Sequence, residues 1–324
     1  MARWVPFLTV LAVSGCFNGL LLKPTHVDEP LEETVMTDPH SCLCLTKVAV
    51  IDVEGMIMNA RTSGLISDGD NPLSLFREKL NAAARDKRVK AVVLRINSPG
   101  GAVTASDIMY QDLQAFRHKT GKPVVACLMD VAASGGYYLA VGCDWIIAHP
   151  TTVTGSIGVI MNLYNASGLF AKLGVSTNPI KSGRNKDLGN PGREMTKEER
   201  AILQGMVNSF YKQFVQVVSE GRKIPVEKVR RLADGRVYTG TEAQKLGLVD
   251  EVGYLEDAIA TAKKLAGICD AKVVAYDHCD GYRGSIYAAL PNIPSHINVK
   301  LDLPGLPGKT GATFMYLWEP GQMN

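Results

Sequence analysis

The chain has no surplus of either charge: 35 Lys+Arg stand against 32 Asp+Glu in 324 residues, a formal net charge of +3. It therefore lacks the basic field that would draw a nucleic acid. Cysteine is scarce, and seven residues are too few for a disulfide scaffold in a chain this long. Aromatic residues reach only 7%, but a hydrophobic share of 46% with 21% charged residues suits a folded globular protein and excludes a disordered one. Long uncharged apolar runs are missing everywhere but one place, which excludes a multi-span membrane protein. GxGxxG, GxxxxGK[ST] and GxSxG are all absent, so a dinucleotide fold, a P-loop and an α/β-hydrolase are disfavoured. No internal repeat is visible.

The one apolar run is N-terminal. Between Arg3 and Lys23 no residue is charged. That stretch is close to the roughly 20 residues a membrane-spanning helix needs, and it also has the layout of a secretory signal. Val13-Ser14-Gly15-Cys16 resembles a bacterial lipobox, in which Cys16 would be lipidated. A lipid anchor, an uncleaved anchor and a cleaved signal all export the rest of the chain, so residues 1–23 predict an extracytoplasmic domain tethered to a membrane. Residues 24–45, acidic and Pro-bearing, read as a flexible spacer. Cys42 and Cys44 lack the second ligand pair that a metal site needs and read as a disulfide or plain thiols. Cys127 and Cys143 sit in apolar runs and read as small core residues.

From residue 46 short β-branched runs alternate with helical patterns. Val48–Val53, Ala91–Ile96, Val124–Met129 and Trp145–Ala148 are strand candidates, several of them apolar throughout, as in strands buried on both faces. Helices are expected from Asn71-Pro72, over about 104–118, from Ser134, after the capping box Thr196-Lys197-Glu198-Glu199, and near 225–233 and 254–267. A last strand is expected near 271–276. This alternation predicts an α/β domain with largely parallel strands over 46–280. The tail, 281–324, is rich in Pro and Gly and reads as irregular.

Three places carry possible chemistry. Ser134 stands at a strand-to-helix junction before two glycines, where free N–H groups could stabilise negative charge beside a nucleophile. Gly100-Gly101 ends the neighbouring strand and lets backbone approach a substrate closely. The loop Lys181–Gly189 brings two lysines, Lys181 and Lys186. Alone, each has an ordinary explanation: an N-cap, a turn, solvated charges.

In combination these segments resemble the bacterial signal peptide peptidase A family, in its short single-copy form. The resemblance rests on Ser98-Pro99-Gly100-Gly101, Ala133-Ser134-Gly135-Gly136-Tyr137-Tyr138, Thr154-Gly155-Ser156-Ile157-Gly158-Val159, Gly183-Arg184-Asn185-Lys186-Asp187, Gly235-Arg236-Val237-Tyr238-Thr239-Gly240 and Gly247-Leu248-Val249-Asp250. It covers about residues 46–276. It implies the Clp-protease/crotonase-like fold, a ββα superhelix with C-terminal helices, and a Ser/Lys protease with Ser134 as nucleophile and Lys186 as general base. Gly101 and Gly135 would form the oxyanion hole and Ser156 would orient the lysine. Asp187 is expected to point away from Lys186, and Lys181 is the rival base. The implied substrates are apolar peptides left by cleaved signals, with Leu-like or small side chains preferred. A homo-oligomer is implied; a metal or organic cofactor is not. An acyl-CoA enzyme of the crotonase type, an inactive scaffold, and a Ser-His-Asp site using His149 or His118 are the competing readings.

Overall fold

The computed structural model describes residues 31–39, 45–60, 71–277 and 314–318. Cys16, Cys42 and Cys44 lie outside them. In chain order come β1 (Glu32–Thr37), β2 (Lys47–Glu54), α1 (Pro72–Arg85), β3 (Val89–Ser98), β4 (Gly100–Ala102), α2 (Val103–Thr120), β5 (Val124–Ala133) and α3 (Gly135–Ala140). Then follow β6 (Trp145–Ala148), β7 (Val153–Gly155), α4 (Ser167–Lys172), α5 (Lys197–Arg222), α6 (Val226–Leu232), β8 (Val237–Thr239), α7 (Gly240–Leu246), β9 (Glu251–Val252), α8 (Leu255–Leu265), β10 (Lys272–Asp277) and β11 (Met315–Leu317).

The main sheet runs β1-β10-β2-β3-β5-β6-β9, with β7 beside β5 and β8 beside β7. The run from β10 through β9 is parallel, and so is β7 on β5; β1 and β8 pair antiparallel at the margins. The central strands are apolar on both faces because both faces are covered. Ala49, Ile51, Leu94 and Leu128 face a core built with α1, α2, α3 and α5. Val48, Val50, Val93 and Cys127 face Leu255, Ala258 and Ala262 of α8. Burial pushes the Cys127 thiol up to about 12, so it packs as an apolar group. The α/β class, the parallel sheet and the capping box at Thr196 are as the sequence predicts.

Two segments differ from the reading of the sequence. Residues 32–37, expected in a flexible spacer, form edge strand β1. Thr34 and Val35 pair with β10, Met36 is buried, and the consecutive Glu32 and Glu33 open the strand at its exposed end. Glu33 is fastened by Lys47, a buried lysine whose Nζ lies 2.6 Å from Glu33 and 2.9 Å from Asp86. Residues 315–317, expected in an irregular tail, form β11, which pairs antiparallel with β4.

Burial alone would raise the Asp86 carboxyl, but hydrogen bonds from Lys47 and the Arg88 amide outweigh it and bring it down to about 2. A carboxyl depressed in the fold contributes stability above its unfolded value of about 3.9 and loses it as the pH falls further. Lys47→Met removes the cation that joins Glu33 to Asp86 and leaves Asp86 with Arg88 alone. It should cost about 3 kcal/mol in urea denaturation, flatten the stability loss below about pH 4, and speed amide exchange in residues 32–37.

Candidate active site

The site forms where three strands end side by side. β3 ends in Ser98-Pro99-Gly100-Gly101. The buried Ser98 hydroxyl donates to Gly55 O (2.6 Å) and accepts from Gly100 N (3.1 Å), which pins the turn from within. Gly100 has φ +99, open to glycine but strained for other residues. On one side Ile57 brackets the turn: its N–H donates to Gly100 O at 2.8 Å, and its carbonyl accepts from Ala102 N at 2.9 Å.

β5 ends at Ala133, and the next residue, Ser134, has φ 52 and ψ −114, a conformation a non-glycine residue holds only when the surroundings impose it. The imposing contacts are Ser134 N donating to Gly155 O and Tyr138 N donating to Ser134 O, both at 2.8 Å. Ser134 is 1% exposed, and its hydroxyl has no hydrogen-bond partner among the described residues. An unpartnered buried hydroxyl is costly, so its presence marks a place shaped for something other than stability. β7 pairs with β5 so that Gly155 stands opposite Ala133. Ser156 follows on, also at positive φ (47) and buried, its N–H donating to Arg236 O at 2.8 Å.

Gly135 closes the constellation. A Cβ on it would fall 3.2 Å from Gly101 N and 2.4 Å from the Ser106 hydroxyl. A Cβ on Gly100 would fall 2.6 Å from Gly135 N. Ser134, Ser156, Gly101 and Gly135 thus lie on adjoining segments of one cleft.

Lys186 is not among them. It is exposed on the loop after α4, and no hydrogen bond joins it to Ser134. Lys181 Nζ lies 2.7 Å from Asp187, which also binds Arg193 at 3.0 Å. These two cations, Arg193 first, hold the Asp187 carboxyl far below the usual range. Neither histidine joins the serine. His118 is exposed near the end of α2; the His149 ring lies against Tyr254, and burial lowers its pKa.

The chain fills this cleft with a segment the sequence reading missed. β11 lies between β4 and Ile160, whose N–H and carbonyl both bond Met315 at 3.0 Å. Trp318 N donates to Pro99 O and Val103 N to Phe314 O. Bonded pairs recur every second residue in an antiparallel ladder, so Gly101 and Tyr316 are the bonded pair between them. The Tyr316 carbonyl oxygen sits 2.0 Å from where a Gly100 Cβ would be. The Tyr316 side chain is fully buried, stacked on Tyr138 and tilted on Phe214, and its hydroxyl donates to Phe210 O at 3.0 Å. Beyond it, Leu317 and Trp318 border an open cleft of about 730 Å³ that reaches Ser156, Ile160 and Tyr211. The available signal was the unbroken apolar run Phe314–Trp318.

Comparison with known proteins agrees with this geometry. The model of the Clp protease family matches residues 49–151, and that of Peptidase family S49 matches residues 116–269. A protein of Enterococcus faecium named as a signal peptide peptidase SppA is 40% identical over 230 residues, 71% of this chain and 67% of its own length. A Synechocystis protein named as a protease, slr0021, is 41% identical over 227 residues, 70% of this chain and 77% of its own.

The chain belongs to peptidase family S49.

It is a serine protease, and peptides are its substrates. Protease 4 of Salmonella typhi is 34% identical over 252 residues, 75% of this chain but only 40% of that much longer protein.

Gly100→Ala tests the close approach. The methyl would overlap the Tyr316 carbonyl and strain the turn, so β11 should leave the cleft. Hydrogen exchange at Tyr316 and Trp318 should then accelerate by at least about tenfold, an opening free energy lower by about 1.4 kcal/mol. Unchanged exchange would show that the turn yields instead.

Proposed function

We propose that this protease is a membrane-associated endopeptidase in which Ser134 is the nucleophile, Lys186 the general base, and the Gly101 and Gly135 amides the oxyanion hole. The observation that carries this reading is the seating of residues 314–318, extended between β4 and Ile160 with a carbonyl at the glycine turn. A substrate peptide adding itself as a strand would lie the same way. Oγ of Ser134 then attacks the carbonyl carbon while the lysine amine takes its proton. The two amides receive the developing oxyanion. The proton passes to the departing amine, and water releases the acyl group from the serine. The amine must be neutral to act, which a closed, water-poor cleft favours.

The separation of Lys186 from Ser134 within one chain supports a homo-oligomer in which Lys186 of one copy enters the cleft of the next, with Ser156 orienting its amine. Tyr164 (82% exposed), Leu173 (67%) and Ile180 (105%) leave an apolar surface open on the same arm. Lys181 is occupied by Asp187 and serves no site.

The Tyr316 pocket favours cleavage after bulky apolar or aromatic residues rather than small ones. Remnant signal peptides, rich in such residues, are the substrate class that fits. Attachment through the N-terminal apolar run, with Cys16 lipidated, would hold the protease domain, 46–280, outside the cytoplasm beside them. Among the described residues no helix is long and apolar enough to cross a membrane.

Ser134→Ala should abolish both cleavage of an apolar peptide and labelling by a fluorophosphonate, with circular dichroism unchanged; retained turnover would refute the assignment. Lys186→Ala should be equally dead. Mixed and reassembled, the two inactive variants should regain roughly a quarter of wild-type activity if the base acts across copies, and none if it acts within one.

Lys186→Arg should lose activity by about 10³-fold or more, because a guanidinium stays protonated. Lys181→Arg, which keeps its ion pair, should stay within about threefold of wild type. Reversed outcomes in kcat/KM would make Lys181 the base.

A further inference from the structure

The loop that carries Lys186 has its own anchor, which the dyad does not explain. Arg193 bridges two carboxylates: its Nε lies 3.0 Å from Asp187 Oδ2, its Nη1 lies 2.9 Å from Glu199 Oε2, and its Nη2 bonds both residues as well. Glu199 is 2% exposed and fixed in turn, accepting from Thr196 N at 2.8 Å in the capping box of α5. A continuous line of charge-assisted bonds thus runs from the first turn of a long helix to the residue next to Lys186. Nothing about a surface loop requires such an anchor.

Resting on the assignment of Lys186 as base, we propose that Arg193 is its positioning residue: it fixes the lysine loop to α5 and holds the Asp187 carboxylate away from the amine. Both effects serve a general base. The first gives the amine one approach to the serine of the neighbouring copy. The second removes a negative charge that would otherwise favour the protonated, inactive amine. The charged groups around Lys186 on its own loop are Lys181, Arg184, Asp187, Arg193 and Glu194; those on α5 are Lys197, Glu198, Glu199 and Arg200. In the receiving cleft Asp234 and Arg236 pair with one another beside Ser156. Asp187 is therefore the adjacent anion that loses its main partner when Arg193 is removed. Arg193, ahead of the Thr196 amide, also keeps Glu199 ionised down to about 2, so the anchor holds across the working range.

The test compares wild type, Arg193→Gln and Arg193→Gln/Asp187→Asn as full chains on one apolar peptide, from neutral to alkaline pH. Arg193→Gln should move the acid limb of the kcat/KM profile upward by about one pH unit and lower kcat at neutral pH by about tenfold, with KM within about twofold. Adding Asp187→Asn should return the limb to its wild-type place, a rescue that simple loosening of the fold would not give. An unmoved limb in Arg193→Gln, or no return in the double variant, overturns the proposal. If Arg193→Gln does not assemble, Arg193→Lys separates the two effects, since it keeps a cation beside Asp187 but cannot fork across two carboxylates: kcat should fall while the acid limb stays in place, and a limb that moves overturns the proposal. Full activity in Lys186→Arg would instead sink the assignment of the base and leave this comparison without a subject.

Discussion

The cleft depends on backbone meeting backbone with no Cβ between. At Gly100, Gly101 and Gly135 a methyl group would fall between 2.0 and 2.6 Å from an atom of another segment. Ile57, the turn after β3, the start of α3 and β11 can converge only because those three positions carry no side chain. Strand pairing then follows from position: β4 is bracketed by Ile57 on one side and left with a row of free groups on the other, so an extended chain can complete it.

The parallel sheet supplies the rigidity that such a cleft needs. Ser134 and Ser156 both hold positive φ, and they sit just past paired strands of one buried sheet. Strain of this kind, of order 1–3 kcal/mol per residue, persists only where the surroundings over-determine the backbone. Here the ladder from β3 through β5 to β7 does so, while Tyr137, its hydroxyl donating to Leu248 O at 2.7 Å, and Tyr138, donating to Asp107 at 2.7 Å, pin α3 from behind.

The parts legible in the sequence are those set by local pattern. β2, β3 and β5 announce themselves as continuous apolar runs because both sheet faces are covered. α5 announces itself because Thr196 and Glu199 cap each other within four residues. The glycine turn and Ser134 were legible as a combination of short motifs. What was hidden is non-local. Tyr316 looks like any aromatic in a Pro/Gly-rich tail until Tyr138 and Phe214, brought in by two separate helices, make a place for it. β1 looked like a spacer because its acids are conspicuous and the lysine that fastens one of them, Glu33, lies on the next strand. Lys186 could be picked out by its motif, but its distance from Ser134 belongs to tertiary structure. β7, β8 and β9 are two or three residues long, too short for any periodicity to register.

β11 has a consequence for how this cleft meets other peptides. An occupant joined to the same chain competes at an effective concentration set by its tether and not by dose. On the proposed binding mode an external peptide would bind only the fraction of copies from which residues 314–318 have withdrawn, and its apparent affinity would be weaker than its intrinsic affinity by that fraction. Dilution, which lowers the occupancy of every free ligand, leaves this competitor untouched.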